Sequence, residues 1–103
     1  MKVFLIDKSG RNNDIANNLK KLGIENIEIR EDCKMKATKN DYIVIFEDKE
    51  TDISKTSNVI LITTNKDKKF IWNFANNHNC IDIIDATQDR TYIAQRIQTA
   101  ITS

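Results

Sequence analysis

The chain has 103 residues, of which 40 % are hydrophobic and 30 % charged; 16 basic against 15 acidic side chains leave a formal charge of +1. That length suits one domain, residues 1–103, with one hydrophobic core, and the balance is that of a soluble globular protein. A near-neutral chain offers no basic excess for direct nucleic-acid binding, no stretch approaches the roughly 20 apolar residues of a membrane span, and the start from Met1 meets Asp7 too soon for a signal peptide, so a cytoplasmic protein is expected.

In chain order, residues 2–6 read as a first strand, apolar throughout and so buried on both faces. After the loop Lys8-Ser9-Gly10-Arg11, Asn12 or Asn13 can cap a helix. Ile15, Leu19 and Leu22 recur at helical spacing with Ala16 beside them, and Gly23 ends that helix. Residues 26–30 alternate strictly, as an edge strand with one face in water does. Residues 31–40 are polar apart from Cys33, Met35 and Ala37, and one or two turns of helix fit there. Residues 42–46 are a continuous apolar strand and therefore central. The connection from Asp48 to Asn58 is barely long enough for a parallel crossover, and Ile53 is its one strong apolar residue. The helix between the third and fourth strands is accordingly expected to be shortened or missing.

Residues 59–62 form the fourth strand. Residues 67–77 form a helix whose buried face is Phe70, Ile71, Phe74 and Ala75, with Trp72 off that stripe. Residues 81–84 form the fifth strand. Asp89 opens a last helix in which Ile93, Ile97 and Ile101 recur every four residues, flanked by Ala94 and Ala100. Strands alternating with helices predict an α/β fold. Right-handed crossovers and the edge character of the second strand favour a flavodoxin-like three-layer sandwich with a five-stranded parallel sheet of order 2-1-3-4-5.

Chemistry in such sheets collects at the carboxyl edge. There the runs stop at Asp7, at Glu47 and Asp48, at Thr63 and Thr64, and at Asp85. Cys33, Cys80 and the single histidine, His78, lack the spacing of a metal or redox motif. Reduced thiols, no metal and no cofactor are expected. The lysine clusters 34/36/39 and 66/68/69 read as solvated charge.

These strand ends resemble those of the CheY-like receiver domains of bacterial response regulators, and the similarity runs over essentially the whole chain. The family carries two acids after strand one, a phosphorylated Asp after strand three, a Thr or Ser after strand four and a Lys after strand five. The acids hold Mg²⁺, and the hydroxyl and Lys hold the phosphoryl oxygens. Here Asp7 matches the first acid, but Lys8 stands at the second. Asp41-Tyr42-Ile43-Val44-Ile45-Phe46 resembles the run into the phospho-acceptor, which falls on Phe46, Glu47 or Asp48 depending on the count. Thr63 matches the hydroxyl. The family's Lys-Pro maps onto Ala86-Thr87, so the Lys is absent.

A lysine at the metal position and the loss of a phosphate-binding lysine imply a degenerate, phosphorylation-independent receiver with no catalytic residues. The resemblance then implies a non-enzymatic signalling and protein-interaction module, the regulatory and N-terminal domain of a transcription regulator. Asp7, Lys8, Glu47, Asp48 and Thr63 would form a remnant acidic pocket. A protein partner or a second copy would bind the face made by the 67–77 helix, the fifth strand and the last helix, where Trp72, Tyr92 and Arg96 are expected at the surface. Two alternatives remain: a working receiver using Asp48 with Mg²⁺, and an unrelated flavodoxin-like binding or phosphotransfer domain. The latter lacks a hydroxyl- and glycine-rich phosphate loop at Lys8–Asn12 and a Cys after strand one.

Overall fold

The protein is described from a computed structural model, which covers residues 1–6, 12–31, 36–46 and 58–102, the side chains of Asn12 and Asn13 excepted. Eight elements follow in chain order: β1 Val3–Ile6, α1 Asn12–Lys21, β2 Ile27–Arg30, β3 Tyr42–Phe46, β4 Asn58–Thr63, α2 Lys68–Asn77, β5 Cys80–Asp85 and α3 Arg90–Thr102. The strands form one parallel sheet of order β2-β1-β3-β4-β5. The α/β fold and strand order expected from the sequence are therefore present. Among the described residues no helix lies between β2 and β3 or between β3 and β4. The short helix expected over 31–40 is replaced, in its described part, by a turn in which Asp41 N–H donates to the Thr38 carbonyl at 3.0 Å. Residues 47–57 lie outside the described residues.

The continuous apolar strands are central, as their sequences require. β1, β3 and β4 have burial on both faces, with Leu5, Ile45 and Leu61 fully buried. Two cores result. On one face α1 and α3 cover Val3, Leu5, Val44, Ile60, Ile62 and Ile84 with Ile15, Leu19, Ile93 and Ile97. On the other, Phe74 of α2 packs with Phe4, Ile6, Ile43, Ile45, Val59 and Leu61. Burying each such Ile or Leu contributes about 1.5–3 kcal/mol relative to exposure. The four-residue periodicity of α3 is what places Ile93, Ile97 and Ile101 on the sheet together.

Helix termini follow local chemistry. Gly23 takes φ +93°, a backbone state that L side chains rarely adopt, immediately after α1. The Asp67 carboxylate caps α2 by accepting from Lys69 N–H at 3.0 Å. α2 buries less than its stripe implies. Phe74 is buried, Phe70 and Ile71 are half-buried, and Ala75 is exposed. Ala75 was expected in the core; α2 stands over the sheet edge at β4 and β5, so only its inner line of residues reaches a neighbour.

β5 contains an irregularity that its sequence conceals. Val59 pairs with Cys80, but Ile60 pairs with Asp82, so Ile81 is an extra residue opposite no partner. Such a bulge resets which face each later side chain takes. Cys80 and Ile83 share the α2 face and Ile84 the α3 face. Asp82, in register with Ile60, is thereby delivered to α3.

Candidate functional site

The carboxyl edge of the sheet is the candidate site, and its described part is built by β4, the loop into α2, and β5. Thr63 ends β4 and is buried. Its Oγ1 accepts from Asn65 N–H at 2.9 Å, and its carbonyl accepts from Ala86 N–H at 3.0 Å. The hydroxyl oxygen thus serves a local turn, a habit of Thr at strand ends. Asp85 ends β5 in register with Thr63. Its carboxylate accepts from Thr87 N–H at 2.9 Å and Thr87 Oγ1 at 2.7 Å. These bonds hold its pKa below the usual carboxylate range, with the nearby Lys66 ammonium a lesser cause. A groove of about 190 Å³ opens here, lined by Thr63, Asn65, Lys66, Ile71, Ile83 and Asp85.

Asp7, Lys8, Glu47 and Asp48 lie outside the described residues, so of the expected acidic pocket the structure places Thr63. The run after β5 carries no lysine, as the sequence indicates. Lys66 of the β4–α2 loop lines the same groove as Asp85. Lys66 is exposed, as the reading of the 66/68/69 cluster as solvated charge implies, and it stands two residues before α2.

The second candidate surface is made by α2, β5 and α3. Trp72 is 67 % exposed and Tyr92 40 %, as their positions off the apolar stripes predict; Ile81 of the bulge joins them at 39 %. Arg96 behaves differently from the expectation of a free surface anchor. Its Nε donates to Asp82 Oδ2 at 3.1 Å and its Nη2 to Asp82 Oδ1 at 2.6 Å, a two-pronged pair. Its Nη1 donates to the Tyr92 hydroxyl at 3.0 Å. Asp82 and Tyr92 together push the Arg96 pKa further above its already high value. Arg96 therefore ties α3 to β5 and orients Tyr92. Asp82 was missed as a functional partner; the signal was an acid inside the run Ile81-Asp82-Ile83-Ile84.

Cys80 is half-buried, its Sγ 3.4 Å from the Asp82 carbonyl, and burial pushes its thiol pKa up. That opposes thiolate reactivity. Among the described residues no group of three or more His, Cys, Asp or Glu is placed to hold a metal ion, and no helix is long and apolar enough to cross a membrane.

The fold so built is that of a receiver-like domain. Its 2-1-3-4-5 sheet superimposes on the crystal structure of a response regulator from Thermotoga maritima with a TM-score of 0.72, covering 99 % of this chain and 98 % of that one at 18 % sequence identity. At that identity the likeness is one of fold. No protein-family model and no curated protein matches the sequence.

Proposed function

We propose that this chain is a receiver-like signalling module that works through protein contacts, without Asp phosphorylation, as the regulatory domain of a transcription regulator. It is read as non-enzymatic and without cofactor. The observation that carries the reading is the end of β5. Where receivers place a phosphate-binding lysine, this chain runs Asp85-Ala86-Thr87, and Asp85 ends β5 in register with Thr63. A carboxylate there repels a phosphoryl group that a lysine would attract. Lys8 at the metal position points the same way from sequence. The exposed Trp72, Ile81 and Tyr92 supply the apolar and aromatic surface that a protein partner, or a second copy, would use.

The alternative of a working receiver using Asp48 draws on one specific observation, the Lys66 ammonium beside Asp85, which supplies some positive charge to the same edge. Intact-mass measurement after incubation with acetyl phosphate and Mg²⁺ separates the two. Unchanged mass is expected; a stoichiometric phosphoryl adduct on Asp48 would establish the working receiver instead.

A further inference from the structure

We propose that the outer edge of β2 pairs antiparallel with the same edge of a second copy of this chain, about a two-fold axis at Ile29. Two sheets would then join into one. This edge lies across the sheet from the α2–β5–α3 face, and the inference does not depend on the function proposed for that face. Its basis is the backbone. The Asn26 carbonyl accepts from Val3 N–H at 2.9 Å, and Val3 is in register with Ile27. In a parallel ladder that register turns the backbone groups of Asn26, Glu28 and Arg30 toward β1 and those of Ile27 and Ile29 outward. The Ile27 N–H is taken by the Glu25 carbonyl at 3.0 Å. The Ile29 N–H and carbonyl, with the Ile27 carbonyl, stand on the outer edge, where no further strand lies among the described residues. Such a row is a template for another chain. The other edge strand, β5, is spoiled for pairing by its bulge, whereas β2 keeps its register throughout.

Side chains select the occupant and the register. When Ile29 exchanges both N–H···O bonds with Ile29 of a second copy, Glu28 falls opposite Arg30 and Arg30 opposite Glu28, at the closely spaced positions of an antiparallel ladder. Moving the axis to Glu28 sets two carboxylates opposite each other, and moving it to Arg30 sets two guanidinium groups; like pairs destabilise. Within one chain the Glu28 carboxylate already accepts from Arg30 Nη1 at 3.0 Å and Lys2 Nζ at 3.3 Å. A second copy brings the same pair in reverse order, so opposite charges alternate around the axis. On the other face of the strand Ile29, 47 % exposed, meets its own copy. The run Glu28-Ile29-Arg30 is thus complementary to itself when reversed, as an isologous two-fold contact requires.

Sedimentation equilibrium of the whole chain at low salt, with amide hydrogen exchange read by NMR, tests the pairing. A short charged edge makes a weak interface, so a dimer with a Kd of about 0.1–1 mM is expected, weaker at high salt. Glu28→Arg and Arg30→Glu should each weaken it about tenfold or more, because like charges then face one another on both sides of the axis. Mixed together, the two variants should pair as tightly as wild type, and one chain carrying both changes should recover the dimer. Slowed exchange of the Ile29 amide should accompany each dimer. A chain that stays monomeric at about 1 mM, single variants that dimerise as wild type does, or a mixture that fails to associate would overturn the proposal. If either single variant loses its dispersed spectrum, Ile29→Pro decides: it removes the outward N–H at an edge where proline is tolerated, and it should abolish the dimer. A dimer lost in Trp72→Ala and unchanged in the β2 variants would belong to the α2–β5–α3 face and overturn the pairing proposed here. The phosphoryl-mass measurement reports on the broader reading alone, so the two can fail separately.

Discussion

Arg96 shows how one side chain can leave the surface inventory and join the architecture. Two donors on one carboxylate fix the guanidinium in plane, and its third nitrogen, Nη1, donates to the Tyr92 hydroxyl. Arg96 keeps 37 % and Asp82 22 % of side-chain exposure, so water screens the pair and its net worth is about 1 kcal/mol or less. Arg96→Ala should therefore fold, lose about that much in urea denaturation, and free Tyr92. Arg96→Lys should recover little, because an ammonium cannot bridge both oxygens. Full recovery by lysine would show that charge alone matters. Asp41 is a second such residue, at the amino edge. Its carboxylate accepts from Lys2 N–H at 3.0 Å, Thr38 N–H at 2.8 Å and Thr38 Oγ1 at 3.2 Å. The Thr38 amide is the largest cause of its lowered pKa. A carboxylate with a depressed folded pKa adds stability that is complete above its unfolded value of about 3.9 and is lost as pH falls through the folded value. Asp41→Ala should cost about 1 kcal/mol at neutral pH, after allowance for solvent screening. Wild type and variant should converge as the pH drops below about 4. Parallel stability curves from neutral to acid would remove Asp41 from this account.

At the scale of elements, the bulge in β5 yields a sharper test than any point substitution. Removing Ile81 would leave Cys80 opposite Val59 and Asp82 opposite Ile60, the pairs already present. A chain with Ile81 deleted should then fold with the Asp82–Arg96 pair intact, its Tm within about 5 °C of wild type, the scale of a change near 1 kcal/mol in a domain of this size. Deleting Ile84 instead would leave the strand up to Ile83 in place but put Asp85 opposite Ile62 on the α3 face; that chain should unfold or aggregate. Comparable stability of the two deletions would show that the register is not set by facing. The same bulge carries a protective role, since an irregular edge strand is a poor template for pairing with other chains.

For the whole molecule, the consequence is that function is expected at surfaces. Trp72 makes almost no contribution to either core, so Trp72→Ala should leave the denaturation midpoint within about 0.5 kcal/mol of wild type. It should weaken whatever association or domain contact sedimentation detects through the α2–β5–α3 face. Unfolding of Trp72→Ala would place Trp72 in a core; identical sedimentation of the two proteins would remove Trp72 from the interface.

Much of the scaffold was legible in the sequence because it depends on burial periodicity. A strand buried on both faces must be apolar at every position, and β1, β3 and β4 are. An edge strand must alternate, and β2 does. A helix lying on a sheet must repeat its apolar residues every three or four positions, and Ile93, Ile97 and Ile101 do. Those rules are local, and they determined strand order and the exposure of Trp72 and Tyr92. The rest needed neighbours that lie far along the chain. Ala75 is exposed because the sheet ends beneath α2, a fact about sheet width. Asp82 faces Arg96 because one unpaired residue, Ile81, shifts the register against β4; the acid at 82 is visible in the sequence, but the face it takes is not. Lys66 and Asp85 line one groove because the β4–α2 loop and the end of β5 converge at one sheet edge. Contacts of that kind arise from the pairing of strands and the closing of loops, so only the tertiary structure decides them.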